Sequence, residues 1–270
     1  MLEFAPDQPP VPARPAATVL LLRDGPHGVE VCVMQRSPNS AFMGGAIVFP
    51  GGRLEEGDSP ARFAGHFVAP REGHWLDDEG LAARIAACRE SVEEVSLVPL
   101  VGAAEPANLR TALLDGLVSS GAKLDLAALV PLSRWVTPEA EKRRYDARFF
   151  VARAPAHQTP KSDDHEAVRV LFATPAGLLA QALEGAISLF PPTHRTLEIL
   201  ARSATVDAAL DAARSAPSIE PICPRFVLDG GVPTLALPGD PLHEVRERRI
   251  AGGSRYVLRD ARWVSENAPA

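Results

Sequence analysis

Cysteine is scarce in this chain. Cys32, Cys88 and Cys223 are scattered, odd in number and without zinc-ligand spacing. That excludes a disulfide framework and a cysteine zinc site, and implies a reducing compartment. A basic excess is also missing. The 28 Lys and Arg face 34 Asp and Glu, for a net charge of −6 and a pI near 5.7. General nucleic-acid binders carry a basic footprint, so no nucleic-acid partner is expected. No apolar stretch approaches the roughly 20 residues of a membrane helix, so no membrane partner is expected. Residues 1–16 are proline-rich and lack an apolar core. They read as a flexible leader, not a signal peptide, and a cytoplasmic location follows. Gly51-Gly52 precedes no Gly-Lys-Ser/Thr, so there is no P-loop. His157, His165 and His194 accompany no recognisable serine or cysteine nucleophile motif.

What is present is ordinary for a packed domain, with 46% hydrophobic and 23% charged residues. Two apolar runs, Ala17–Leu22 and Val29–Met34, flank a Gly- and Pro-punctuated turn and predict a hairpin. Leu81–Val95 has helical spacing and no proline. Glu105-Pro106 opens a second helix to about Ser120, with Gly121 as C-cap. Strands are expected at Val130–Val136, Tyr145–Val151 and Ala167–Phe172, then a helix from Thr174-Pro175 to near Gly185. Thr193–Ala201 and Thr205–Ala213 read as threonine-capped helices. The end is β-like: Arg225–Leu228, Thr234–Leu237 and Tyr256–Leu258. The fold class is α/β (α+β), a mixed sheet with helices on its faces. Residues 17–186 form the main domain, and 187–270 a helical and β extension packed on it.

The chemistry concentrates in Arg89-Glu90-Ser91-Val92-Glu93-Glu94-Val95. Glu90, Glu93 and Glu94 fall at i, i+3 and i+4, on one helix face. Their mutual repulsion needs an offset, which a hard divalent cation provides. A solvated charged face is the alternative. The upstream turn Phe49-Pro50-Gly51-Gly52 favours a site, because glycine lets backbone carbonyls approach a helix.

Together these segments resemble the Nudix box, G-x5-E-x7-R-E-U-x-E-E-x-G-U. Gly52 matches the first glycine, Asp58 falls at the first glutamate, and Arg89-Glu90 and Glu93-Glu94 match the rest. Ser91 replaces the apolar U and Ser96 the late glycine. About thirty residues separate Asp58 from Arg89, which is long for a loop inside a domain. This insertion, about 59–80, reads as a lid or specificity loop, or else a passive surface loop. It holds His66, His74, Trp75 and Asp77-Asp78-Glu79.

An interrupted box is similar to the coenzyme A diphosphatase-like Nudix subgroup. The stretches Ser37-Pro38-Asn39-Ser40-Ala41-Phe42-Met43-Gly44-Gly45 and Phe190-Pro191-Pro192-Thr193 fit it too. The resemblance implies an α/β/α sandwich hydrolysing a nucleoside diphosphate linked to another moiety, coenzyme A or an acyl derivative among them, with Mg²⁺ or Mn²⁺. A non-catalytic ligand sensor is the alternative. Glu93 and Glu94 become the main metal ligands, with Glu90 as ligand, general base or both. The Gly51 carbonyl completes the shell and Arg89 orients a carboxylate. Arg36, Arg144 and Gly52 are candidates for substrate phosphates, with Arg143 more readily a surface residue. A late acid is expected among Asp163, Asp164 and Glu166. The partner is a small-molecule diphosphate, with a homodimer left open.

Overall fold

The turn at Gly25 and Gly28 folds the first two apolar runs onto each other. β1 (Arg14–Gly25) and β2 (Gly28–Arg36) pair antiparallel, with Leu22 opposite Val31. The computed structural model describes residues 9–36, 45–162, 167–216 and 219–269. Within it β1 begins at Arg14, so the last residues of the expected leader are already strand. Successive side chains of β1 alternate between faces. Ala17, Val19 and Leu21 enter one core, and Leu20 and Leu22 the other. The sheet is therefore buried on both sides.

β3 (Ile47–Val48) pairs with β2, and β4 (Gly51–Arg53) with the first half of β1. β5 (Phe67–Val68), β6 (Leu100–Val101) and β7 (Lys123–Asp125) form a small separate sheet. β8 (Val130–Val136), β9 (Tyr145–Arg153), β10 (Ala167–Ala173) and β11 (Pro221–Ile222) complete the main sheet, ordered β10-β2-β1-β9-β8-β11. β9 runs parallel to β1 and antiparallel to β8, so the sheet is mixed. β12 (Arg225–Asp229), β13 (Val232–Ala236), β14 (Arg255–Arg259) and β15 (Arg262–Glu266) make a four-stranded antiparallel sheet.

α1 (Asp78–Val95), α2 (Pro106–Arg110) and α3 (Leu113–Ser120) contribute to the first core. α4 (Pro175–Leu183), α5 (Pro191–Leu200), α6 (Val206–Arg214) and the C-terminal sheet contribute to the second. This is an α/β/α sandwich. α1 starts before the expected Leu81 because Asp77 accepts a cap bond from the Gly80 N–H at 2.9 Å. The helix expected over Glu105–Ser120 is two helices, broken at Ala112, whose φ of −157° is not helical. Thr193 is not an N-cap. Phe190 holds that position and two prolines open the helix, where their missing N–H costs nothing.

The insertion is part of the scaffold. Phe63 lies in the first core, and β5 pairs with β7. Trp75 stands edge-on to Phe150, with centroids 5.6 Å apart. Fully buried Arg84 donates to the carbonyls of Trp75 (2.6 Å), His74 (3.0 Å) and Gly80 (3.2 Å). Burial pushes its pKa down to about 10. Among the described residues no helix is long and apolar enough to cross a membrane.

Candidate active site

α1 and β4 build the site between them. Thr18 faces Gly51 in a β1–β4 pair without ladder bonds, flanked by Val19 N–H to Pro50 and Leu54 N–H to Pro15, each 3.0 Å. Gly51 therefore turns its amide away from β1, and its N–H donates to Glu94 at 2.9 Å. The next residue lies just as close to the helix. A Cβ on Gly52 would overlap the Glu90 carboxylate, which would have to move.

Arg89 gathers the acids. It grips buried Asp58 with Nε and Nη2, at 2.9 and 3.0 Å. Its Nη1 reaches both Glu90 (2.8 Å) and Glu93 (3.3 Å), and Nη2 also meets the Arg53 carbonyl at 3.0 Å. Burial opposes the guanidinium charge, but Asp58 and Glu90 outweigh it and raise its pKa. Burial also lifts the carboxyls of Glu90 and Glu93 above their usual range. Neighbouring acids add to that rise, and Arg89 opposes it.

Two box departures have local explanations. Buried Ser91 donates its hydroxyl to the Leu97 carbonyl at 2.7 Å, holding the chain that leaves α1. Ser96 sits in the left-handed region at φ 58°, where glycine is favoured. Its N–H caps Val92, and Arg110 Nε donates to the Glu93 carbonyl at 2.8 Å. That places a cation at the helix C-terminus.

Glu90, Glu93 and Glu94 line a cavity of about 590 Å³ together with Arg36, Gly51, Gly52, Arg53 and Glu55. Its other walls are mixed, with Thr18, Thr137 and Thr193 beside Phe49, Trp135, Phe190, Pro192 and Leu235. Arg144 is not among the lining residues. Its guanidinium donates to the carbonyls of Thr137 (3.1 Å) and Val11 (2.8 Å), so the expected phosphate contact finds no support. Arg143 is exposed and does not line the cavity. None of residues 59–80 lines it. Asp163, Asp164, His165, Glu166 and 37–44 lie outside the described residues.

Among the described residues no group of three or more acids, histidines or cysteines forms a ready-made cation cage. The carboxylates lean instead on Arg89 and the Gly51 amide. The donor set still fits a hard divalent ion: it is all oxygen, lies on one helix face, and borders a cavity. Burial and repulsion disfavour the ionised acids, and a cation relieves that cost.

No family model matches the chain. Human acyl-coenzyme A diphosphatase NUDT19 is 28% identical, over 80% of this chain and 73% of that protein. A Nudix hydrolase structure from Alicyclobacillus acidocaldarius superposes with a TM-score of 0.66 at 27% identity, covering 78% of this chain and 99% of that one. The chain is similar to Nudix hydrolases in sequence and in fold. The aromatic and proline walls of the cavity were not assigned from sequence. Phe190-Pro191-Pro192 was visible as a motif, whereas Trp135, Pro224 and Leu235 carried no local signal.

Proposed function

We propose that the protein hydrolyses the diphosphate bond of coenzyme A or an acyl derivative, using Mg²⁺ or Mn²⁺. The supporting observation is that Glu90 and Glu93 share one Arg89 nitrogen beside a cavity that also has apolar walls. A diphosphate with an apolar arm matches that polarity. The relationship to human acyl-coenzyme A diphosphatase NUDT19 points the same way.

Glu93 and Glu94 hold the cation, with Glu90 as further ligand, general base or both. The Gly51 carbonyl completes the set. When bound, the cation screens the diphosphate charge and lowers the pKa of an attacking water. Arg89 keeps Glu90 and Glu93 together and does not touch substrate. The Gly51 N–H fixes Glu94. Arg36 and the bare Gly52 backbone face the phosphates. Residues 17–186 constitute the hydrolase domain and 187–270 an extension that walls its pocket. Three free cysteines accord with a cytoplasmic setting.

A panel of coenzyme A, acyl-coenzyme A, ADP-ribose and dinucleoside polyphosphates, each with Mg²⁺ and Mn²⁺, tests this reading. Metal-dependent release of two phosphomonoesters from coenzyme A substrates is expected. If every compound stays intact, the protein is a ligand sensor instead.

A further inference from the structure

We infer that the N-terminal turn of α5 is a second subsite of the cavity, where the Thr193 hydroxyl and N–H bind phosphate oxygens of the substrate. That the phosphate belongs to the substrate rests on the proposed diphosphate hydrolysis.

α5 begins without an ordinary cap. Phe190 holds the N-cap position, and its side chain accepts no hydrogen bond from the helix. Pro191 and Pro192 follow and carry no N–H. Thr193 is therefore the first residue of α5 with a backbone donor, and so near the start of a helix that donor has no acceptor within it. The next amide is taken, His194 N–H donating to the Phe190 carbonyl at 2.9 Å, but among the described residues nothing takes the Thr193 N–H. Phe190, Pro191, Pro192 and Thr193 all line the cavity, so the positive end of α5 borders it. Such an end favours an anion.

Two side chains independently call for an acceptor. Thr193 is only 7% exposed, yet its hydroxyl has no partner among the described residues and is not sealed from solvent. Its opening is the cavity it lines. Thr137, in the same wall, is already committed, accepting from the Tyr145 N–H at 3.0 Å. Trp135 is 3% exposed and lines the cavity, and its indole N–H has no acceptor among the described residues. A buried donor left unmet is costly, and an indole only donates, so the group that relieves it is an acceptor. The turn is also preformed. The buried Tyr256 hydroxyl donates to the Pro191 carbonyl at 3.2 Å, and fully buried Arg195 donates to Gly253 at 2.8 Å and Ala251 at 3.1 Å. Donors fixed in this way lose little freedom when a ligand binds.

The first test titrates inorganic phosphate into the full-length protein in EDTA, followed by nuclear magnetic resonance. Arg36 and Arg53 also line the cavity, so affinity alone does not locate the anion. The Thr193 amide resonance, assigned in the parent, does, and phosphate should move it. The second test is kinetic, with Mg²⁺. Thr193→Val should raise KM about 10-fold, the loss of one hydrogen bond to a charged group, while Mn²⁺ affinity, set on α1, holds. Thr193→Ser, which keeps the hydroxyl, should restore KM. Dephospho-coenzyme A carries the diphosphate alone, and coenzyme A also a phosphomonoester. A KM rise for both places the diphosphate at α5, and a rise for coenzyme A alone places the phosphomonoester there. If phosphate leaves the Thr193 amide unmoved, or Thr193→Val keeps the parental KM for both compounds, the inference falls and hydrolysis stands. If neither compound is cut, yet phosphate moves the Thr193 amide and binds Thr193→Val more weakly, the subsite stands and the hydrolytic reading falls.

Discussion

Asp58 and Arg89, 31 residues apart in sequence, meet in a two-pronged ion pair at 2.9 and 3.0 Å. The pair closes the neck of the insertion. Loop-closure entropy rises only slowly with length, and the Gly51 N–H to Glu94 and Arg89 to Arg53 carbonyl bonds join the same two halves.

Asp58→Ala would leave Arg89 only half-buried partners. Asp58 is 1% exposed, so the loss should approach the ~3 kcal/mol lower end for broken buried pairs. Chemical denaturation checks this. Activity should fall with it, because Arg89 is then free to swing Glu90 and Glu93 away. A variant of parental stability would show that the pair is not the clasp.

Gly52→Ala should displace the Glu90 carboxylate, which occupies the space of the new Cβ. A shift of about 1 Å at a reacting centre costs roughly 100-fold in rate, so kcat/KM should drop by that order. Melting temperature should change little, because the displaced group borders the cavity. Unchanged kinetics would place Glu90 outside the reaction.

The raised carboxyls of Glu90 and Glu93 give the metal-free protein a definite pH dependence. A folded pKa above the unfolded value means the stabilising contribution is complete below the unfolded pKa and lost as pH rises through the folded one. Glu93→Gln removes one such loss. Its stability relative to the parent should therefore improve from pH 4 to pH 7 in EDTA. Unfolding curves across that range measure it, and the opposite slope would contradict the burial assigned to Glu93.

Ser96→Gly should stabilise the end of α1. A left-handed serine costs about 1 kcal/mol that glycine does not. The exchange gives up only a 3.4 Å contact from Arg110. A rise of about 2–4 °C in melting temperature is expected.

The acids were legible in the sequence because i, i+3, i+4 spacing fixes a helix face without knowledge of the tertiary structure. β8 was legible because a β-rich run within Val130–Val136 has period-two burial. The insertion was not. Trp75 finds its partner at Phe150, and Arg84 spends its donors on His74 and Trp75 carbonyls, contacts no local pattern announces. The partners of Arg144 were hidden for a related reason. Arginine suits phosphate and backbone carbonyls equally, and here Val11 and Thr137 take it. The pocket's apolar half draws on residues from Phe49 to Leu235, so only folding brings it together.

Central to the account is a divalent ion held on α1 beside Gly51. Manganese binding followed by electron paramagnetic resonance, in the parent and in Glu93→Gln, addresses it most directly. The parent should take up Mn²⁺ in competition with Mg²⁺, and the variant should bind at least about 10-fold more weakly while remaining folded. Equal Mn²⁺ affinity in the two proteins would contradict the assignment.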